Sequence, residues 1–215
     1  MSDLVSGRYP QQAPAWSQFG QQNNLAQPSV PMFHNAPATS AIENGAPIIT
    51  KEETVVPVNV PWGVSIEKIS LVNGATETET LTHAWACLRT GESVAAGKKL
   101  KATVVGTSTD KTTFEAKKTE TVSFTLEKPV LITPENAPGG FIYVGVYMVA
   151  TKVGTYASFK TAATALTKAS SGTEIFPWFT GAPVAFKTKP TTETKPETEI
   201  KEAVLVEVAP VLFLQ

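Results

Sequence analysis

Residues 132–150 read ITPENAPGGFIYVGVYMVA: a polar turn rich in Pro, Asn and Gly runs straight into an almost wholly apolar stretch. A membrane-spanning helix needs roughly twenty apolar residues, and the run from Phe141 to Ala150 is about half that length. Taken alternately, Phe141, Tyr143, Gly145, Tyr147 and Val149 fall on one side, and Ile142, Val144, Val146, Met148 and Ala150 on the other. Both sides are apolar. The β-branched and aromatic content, the length and the preceding Pro138-Gly139-Gly140 favour a strand over a helix. A strand with two apolar faces belongs at the centre of a sheet that is covered on both sides.

Working outward, TVSFTLE (121–127) sets Val122, Phe124 and Leu126 against Thr121, Ser123 and Thr125, the period of a half-buried strand. IEKISLVNG (66–74) puts Ile69 and Leu71 on one side and ends in Asn73-Gly74, a pair suited to a tight hairpin turn. The acidic alternation TETET (76–80) suits a solvated edge or loop. THAWACLR (82–89) turns Trp85 and Cys87 one way and Ala84, Ala86 and Leu88 the other, so both of its faces can be covered. TVVPVNV (54–60) carries Pro57 and is followed by Pro61, which predicts an edge strand because proline cannot donate to the ladder. KLKATVVGTS, VAFKTK and EAVLVEV complete the set. Short strands at such spacing, without alternating helices, predict an all-β fold: an antiparallel β-sandwich of jelly-roll or Greek-key kind. At most one short helix is expected, in SFKTAATALTKA (158–169). The Thr/Pro-rich TKPTTETKPETEI (188–200) predicts a flexible polar loop, and the apolar end VAPVLFLQ either closes the core or covers a partner.

Residues 1–53 differ in kind from the sandwich region, 54–215. They carry Pro10, Pro14, Pro28, Pro31, Pro37 and Pro47, many glutamines, and a single basic residue before Lys51, Arg8. Prolines this frequent exclude a long helix or a central strand. Tyr9, Trp16, Phe19 and Phe33 are spaced along this region, which suggests an extended arm whose aromatics dock on this domain or on a neighbouring chain.

The chain has 215 residues, 42% hydrophobic and 17% charged, with 18 basic and 19 acidic residues and a formal net charge of -1. That balance argues against a nucleic-acid partner. The start, MSDLVSGRYPQQAPAW, has no basic segment followed by an apolar run, so no secretory signal is expected there. Chemistry is sparse. His34 and His83 share no metal-binding spacing with Cys87, so neither metal nor cofactor is expected. Cys87 beside Trp85 reads as a packed core residue. TGESVAAGKKL (90–100) fails as a phosphate-binding loop, because Gly91 and Gly97 are one residue too far apart and Lys99 stands where the hydroxyl belongs. Glu77 and Glu79 sit in a polar alternation and read as solubilising. An enzyme is not expected.

The order ISLVNG, HAWACL, a loop, then FTLEKPVLITPENAPGGFIYVGVYM resembles small β-sandwich proteins of tailed-bacteriophage virions, of the minor tail or capsid decoration type. The resemblance covers roughly residues 64–160. It implies a structural virion component that is assembled in the host cytoplasm. The arm would hold other virion proteins, and the apolar C-terminus together with the arm suggests a homo-oligomer, a trimer or a higher ring. A carbohydrate-binding, lectin-like module for host attachment is the alternative. For it, GTEIFPWFTGAP offers Phe176, Trp178 and Phe179 as a ligand or partner platform, and Trp62 and Tyr156 as further stacking residues.

Overall fold

The computed structural model describes residues 33–35, 43–91, 94–95, 100–114, 121–160, 174–175, 185–200 and 203–215. The strands in chain order begin with β1 (Phe33–His34), β2 (Glu43–Gly45), β3 (Glu53–Asn59), β4 (Ser65–Val72) and β5 (Glu79–Gly91). They continue with β6 (Val94–Ala95), β7 (Ala102–Thr107), β8 (Thr121–Leu131), β9 (Phe141–Lys152), β10 (Tyr156–Lys160) and β11 (Glu174–Ile175). The last are β12 (Phe186–Thr188), β13 (Glu199–Ile200), β14 (Val204–Leu205), β15 (Val208–Pro210) and β16 (Leu212–Leu214). The fold is all-β and antiparallel throughout, and among the described residues there is no α-helix.

The apolar run of residues 141–150 is β9, the middle strand of a seven-stranded sheet ordered β13-β7-β5-β9-β3-β12-β14. A one-turn 3-10 segment, Pro138–Gly140, leads into it, with Gly139 and Gly140 at φ 70° and 80° that only glycine adopts without strain. A second sheet, β1-β16-β4-β8, faces the first, and β15-β10-β2 closes one corner. Ser108 at the end of β7 bridges Leu126 of β8, so the two large sheets join along one side and curl into a half-barrel. The main core fills the space between them. Val56 and Val58 of β3, Ala84, Ala86 and Leu88 of β5, and Ile142, Val144, Val146 and Met148 of β9 meet Ile69 and Leu71 of β4 and Phe124 of β8.

Four local expectations are revised. Asn73-Gly74 does not make a hairpin: β4 pairs with β8 and β16 and never with β5. The chain there crosses between sheets, and Gly74 is needed because Thr155 lies against it, its carbonyl carbon 3.0 Å from where a Cβ would stand. The edge expected at Pro57 is only local, since β3 lies between β9 and β12; β12 reaches no further than Val55, and among the described residues no strand pairs with the Pro57 half on that side. The helix expected over 158–169 begins as strand: Ser158 and Phe159 pair with Pro210 and Ala209, and residues 161–169 lie outside the described residues. The polar stretch 188–200 runs from the last residue of β12 to β13, and the loop between them, residues 189–198, is strapped onto the outer face of the seven-stranded sheet rather than free. Trp85 Nε1 donates to the Glu193 carbonyl at 3.1 Å and Arg89 to that of Glu197 at 2.9 Å. The C-terminus closes the core, with Val211, Leu212 and Leu214 buried.

Candidate functional site

The outer face of the seven-stranded sheet carries the least ordinary chemistry. On β5 the alternation that sends Ala84, Ala86 and Leu88 inward sends Trp85, Cys87 and Arg89 outward, beneath the 189–198 strap. Trp85 stacks on Tyr147 of β9 with ring centroids 4.7 Å apart and planes 12° off parallel. Beside them Arg89 and Glu53 form a bidentate ion pair: Nε to Oε1 is 2.8 Å and Nη2 to Oε2 is 3.0 Å, both side chains fully buried. A buried charge survives only when it is paired and hydrogen-bonded, and here the third Arg89 nitrogen is taken by the strap.

The pair is built by three strands. Glu53 opens β3, Arg89 stands near the end of β5, and β9 runs between them with Gly145 opposite both Val55 and Cys87. Gly145 is what makes the crossing fit, since a Cβ there would collide with the Glu53 carboxylate and lie 2.8 Å from the Cys87 sulfur. Burial pushes the Glu53 carboxyl above its usual value, with Arg89 pulling against it. Burial, and then the neighbouring Glu53 charge, hold the Cys87 thiol well above the ordinary range, so it is a poor nucleophile. The chemistry is that of a clamp: a neutralised charge pair that ties β3, β5 and the strap together. Cys87 thus sits in the core as its sequence neighbours suggest, whereas Glu53 and Arg89 were not singled out. The available signal was the phase of Arg89, which shares a strand face with Trp85 and Cys87 and therefore needs a buried counter-charge.

At the rim of the same face a groove of about 320 Å³ opens between β7 and the strap. Thr107, Asp110, Glu127, Lys195 and Thr198 line it with hydroxyl, carboxylate and ammonium groups. Asp110 is fixed by His83 Nδ1 at 2.7 Å and by the Ala84 amide at 3.0 Å. No group of three His, Cys, Asp or Glu side chains among the described residues is arranged to hold a metal ion.

The residues named from sequence are dispersed. Phe33, 5% exposed, lies in the main core of this domain, where its strand pairs with β16. Tyr9, Trp16 and Phe19, and Phe176, Trp178 and Phe179, lie outside the described residues. Tyr156 is no stacking platform: it is buried, its hydroxyl 2.8 Å from Thr78 Oγ1. Trp62 is 43% exposed, its indole N–H donating to the Ala137 carbonyl at 2.9 Å. Compared with known protein families, curated proteins and solved structures, the chain finds no match.

Proposed function

We propose that the protein is a structural component of a tailed-phage virion, a minor tail or head decoration protein that displays its sandwich and is anchored by its N-terminal arm. The observation that carries this reading is the seating of Phe33–His34 as a strand beside the C-terminal β16. An arm whose root is built into a sheet gives the aromatics upstream, Tyr9, Trp16 and Phe19, a fixed point from which to bind neighbouring virion proteins. Ordering of such a segment on contact stabilises assemblies at modest interface area per domain. The buried clamp under the strap supports the same reading, since it braces the displayed face and offers no reactive group. The chain would assemble in the host cytoplasm as a homo-oligomer, a trimer being the simplest ring that an arm exchanged head to tail would close.

The test is immunogold labelling of purified particles with antibody raised against residues 54–215, from a host carrying the coding sequence. Regular label on heads or tails is the expected result. Bare particles, with the protein free in the lysate, would sink the structural role.

The second reading, a carbohydrate-binding module that grips host glycans, is favoured by one observation, the groove of hydroxyls and carboxylates beside the strap. Glu127→Gln changes only its exposed rim. Under this reading it weakens glycan binding at least about tenfold, as losing a charge-assisted hydrogen bond does, while the melting temperature stays put.

A further inference from the structure

Among the described residues, the end of the sandwich where β4 begins exposes two of the four large apolar side chains that stand in water. Trp62 is 43% exposed, and Leu131, which pairs with Ser65, is 55% exposed. The two sit on segments tied to each other, the Gly63 amide donating to the Ile132 carbonyl at 2.8 Å and the Ile132 amide to that of Val64 at 2.7 Å. Pro129, Pro134 and Pro138 are exposed around them. A Trp and a Leu held in water on neighbouring segments, ringed by proline, mark a surface that something covers.

Register names the occupant. Phe33 pairs with Leu214, and Leu214 with Ile69, both antiparallel, so β1 runs in the same direction as β4 with Phe33 level with Ile69. The chain entering Phe33 therefore arrives from the end at which β4 starts, the end of Trp62 and Leu131. Phe33 itself stands two strand widths, or about 10 Å, to the side of β4. Thirteen residues of chain span at most about 45 Å, so residues 20–32 can reach the whole of this end. Their sequence, GQQNNLAQPSVPM, contains no charge and offers Leu25, Pro28, Val30 and Pro31. Prolines against an exposed tryptophan are the pairing by which proline-rich segments are recognised. Tethering in the same chain favours this occupant over any free one.

We propose that the Trp62–Leu131 end is the seat of residues 20–32 of the same chain. This seat assigns Trp62 to the arm and not to a ligand. It does not depend on the particle to which the protein belongs, so labelled or unlabelled virions leave it standing.

The test places a benzophenone side chain at position 131 of the full-length chain, with the same probe at Val204, exposed at the edge of the other sheet, as control. A probe at Ser65, exposed and paired with Leu131, repeats the measurement with Leu131 intact and guards against a fold perturbed at that position. After irradiation of a mixture of unlabelled and nitrogen-15 chains, crosslinked peptides are read by mass spectrometry. The expected result is capture of residues 20–32 within one chain, at least about tenfold above the control site, well inside the gain that tethering gives. Products joining a light to a heavy chain would make a second copy the occupant and overturn the proposal. Capture no higher than at Val204 would overturn it as well.

Discussion

At the scale of single residues the decisive contact is Glu53 with Arg89. Both are fully buried, so removing one partner strands the other as an unpaired charge. Arg89→Met and Glu53→Gln are each expected to cost about 3–5 kcal/mol, whereas the double replacement Glu53→Met with Arg89→Met recovers most of that loss. Urea unfolding of the four proteins checks it, and single variants near wild-type stability would mean that the clamp carries no weight. This contact was the least legible part of the sequence. Glu53 and Arg89 are 36 positions apart, and only the register of β3 and β5 on either side of β9 brings them together. Glycine in the centre of the most apolar strand was visible, but its reason, room for the Glu53 carboxylate, was not. The tyrosines give a second residue-level prediction. Burial raises the ionisation of Tyr143 and Tyr156 above the usual value of 10.0. A phenol whose folded pKa exceeds its unfolded one contributes stability that is complete below pH 10 and lost as pH rises toward the folded pKa. Absorbance at 295 nm should therefore rise together with the loss of near-ultraviolet circular dichroism; ionisation of these two in an intact fold would contradict it.

At the scale of elements, alternation alone located most of the long strands, because a strand covered on one face or both imprints its environment on every second residue. It located β9 as central and β5 as covered on both sides. It failed where an element's fate depends on a distant one: Asn73-Gly74 has the chemistry of a hairpin turn, but the lane beside β4 is already filled by β16 and β8. The strap is the same lesson in reverse, since a Thr/Pro/Glu composition reads as free loop until Trp85, Arg89 and Lys51 are seen to hold it. Its Thr191 hydroxyl and amide both bond the Glu197 carboxylate, at 2.6 and 2.8 Å, which stiffens the turn from within. Lys189 and Lys195 precede prolines and resist trypsin, so opening of the strap is best read with a glutamyl endopeptidase at Glu193 and Glu197. Trp85→Phe removes one hydrogen bond worth about 1 kcal/mol and should speed cleavage roughly fivefold if opening is a local equilibrium. An unchanged rate would show that the strap is held elsewhere.

For the whole molecule, closure depends on two segments far apart in the sequence meeting. β1 pairs with β16, and β16 with β4, so the four-stranded sheet is finished only when Phe33 reaches Leu214 across nearly the entire chain. Contacts of such separation are formed late, because loop closure must precede any gain from them. The domain is accordingly expected to fold in milliseconds to seconds, like other sandwiches built on non-local pairing. Phe33→Ala then separates stability from folding rate. Removing a buried phenylalanine costs about 3–5 kcal/mol, and at a site formed after the transition state that cost appears almost wholly as faster unfolding. A chevron in which the unfolding limb rises by about two to four decades while the folding limb barely moves is the expected outcome. A folding limb that slows in proportion would instead put the arm's root in the nucleus, so that residues 33–35 would belong to the sandwich from the first step of folding and not as a late clasp.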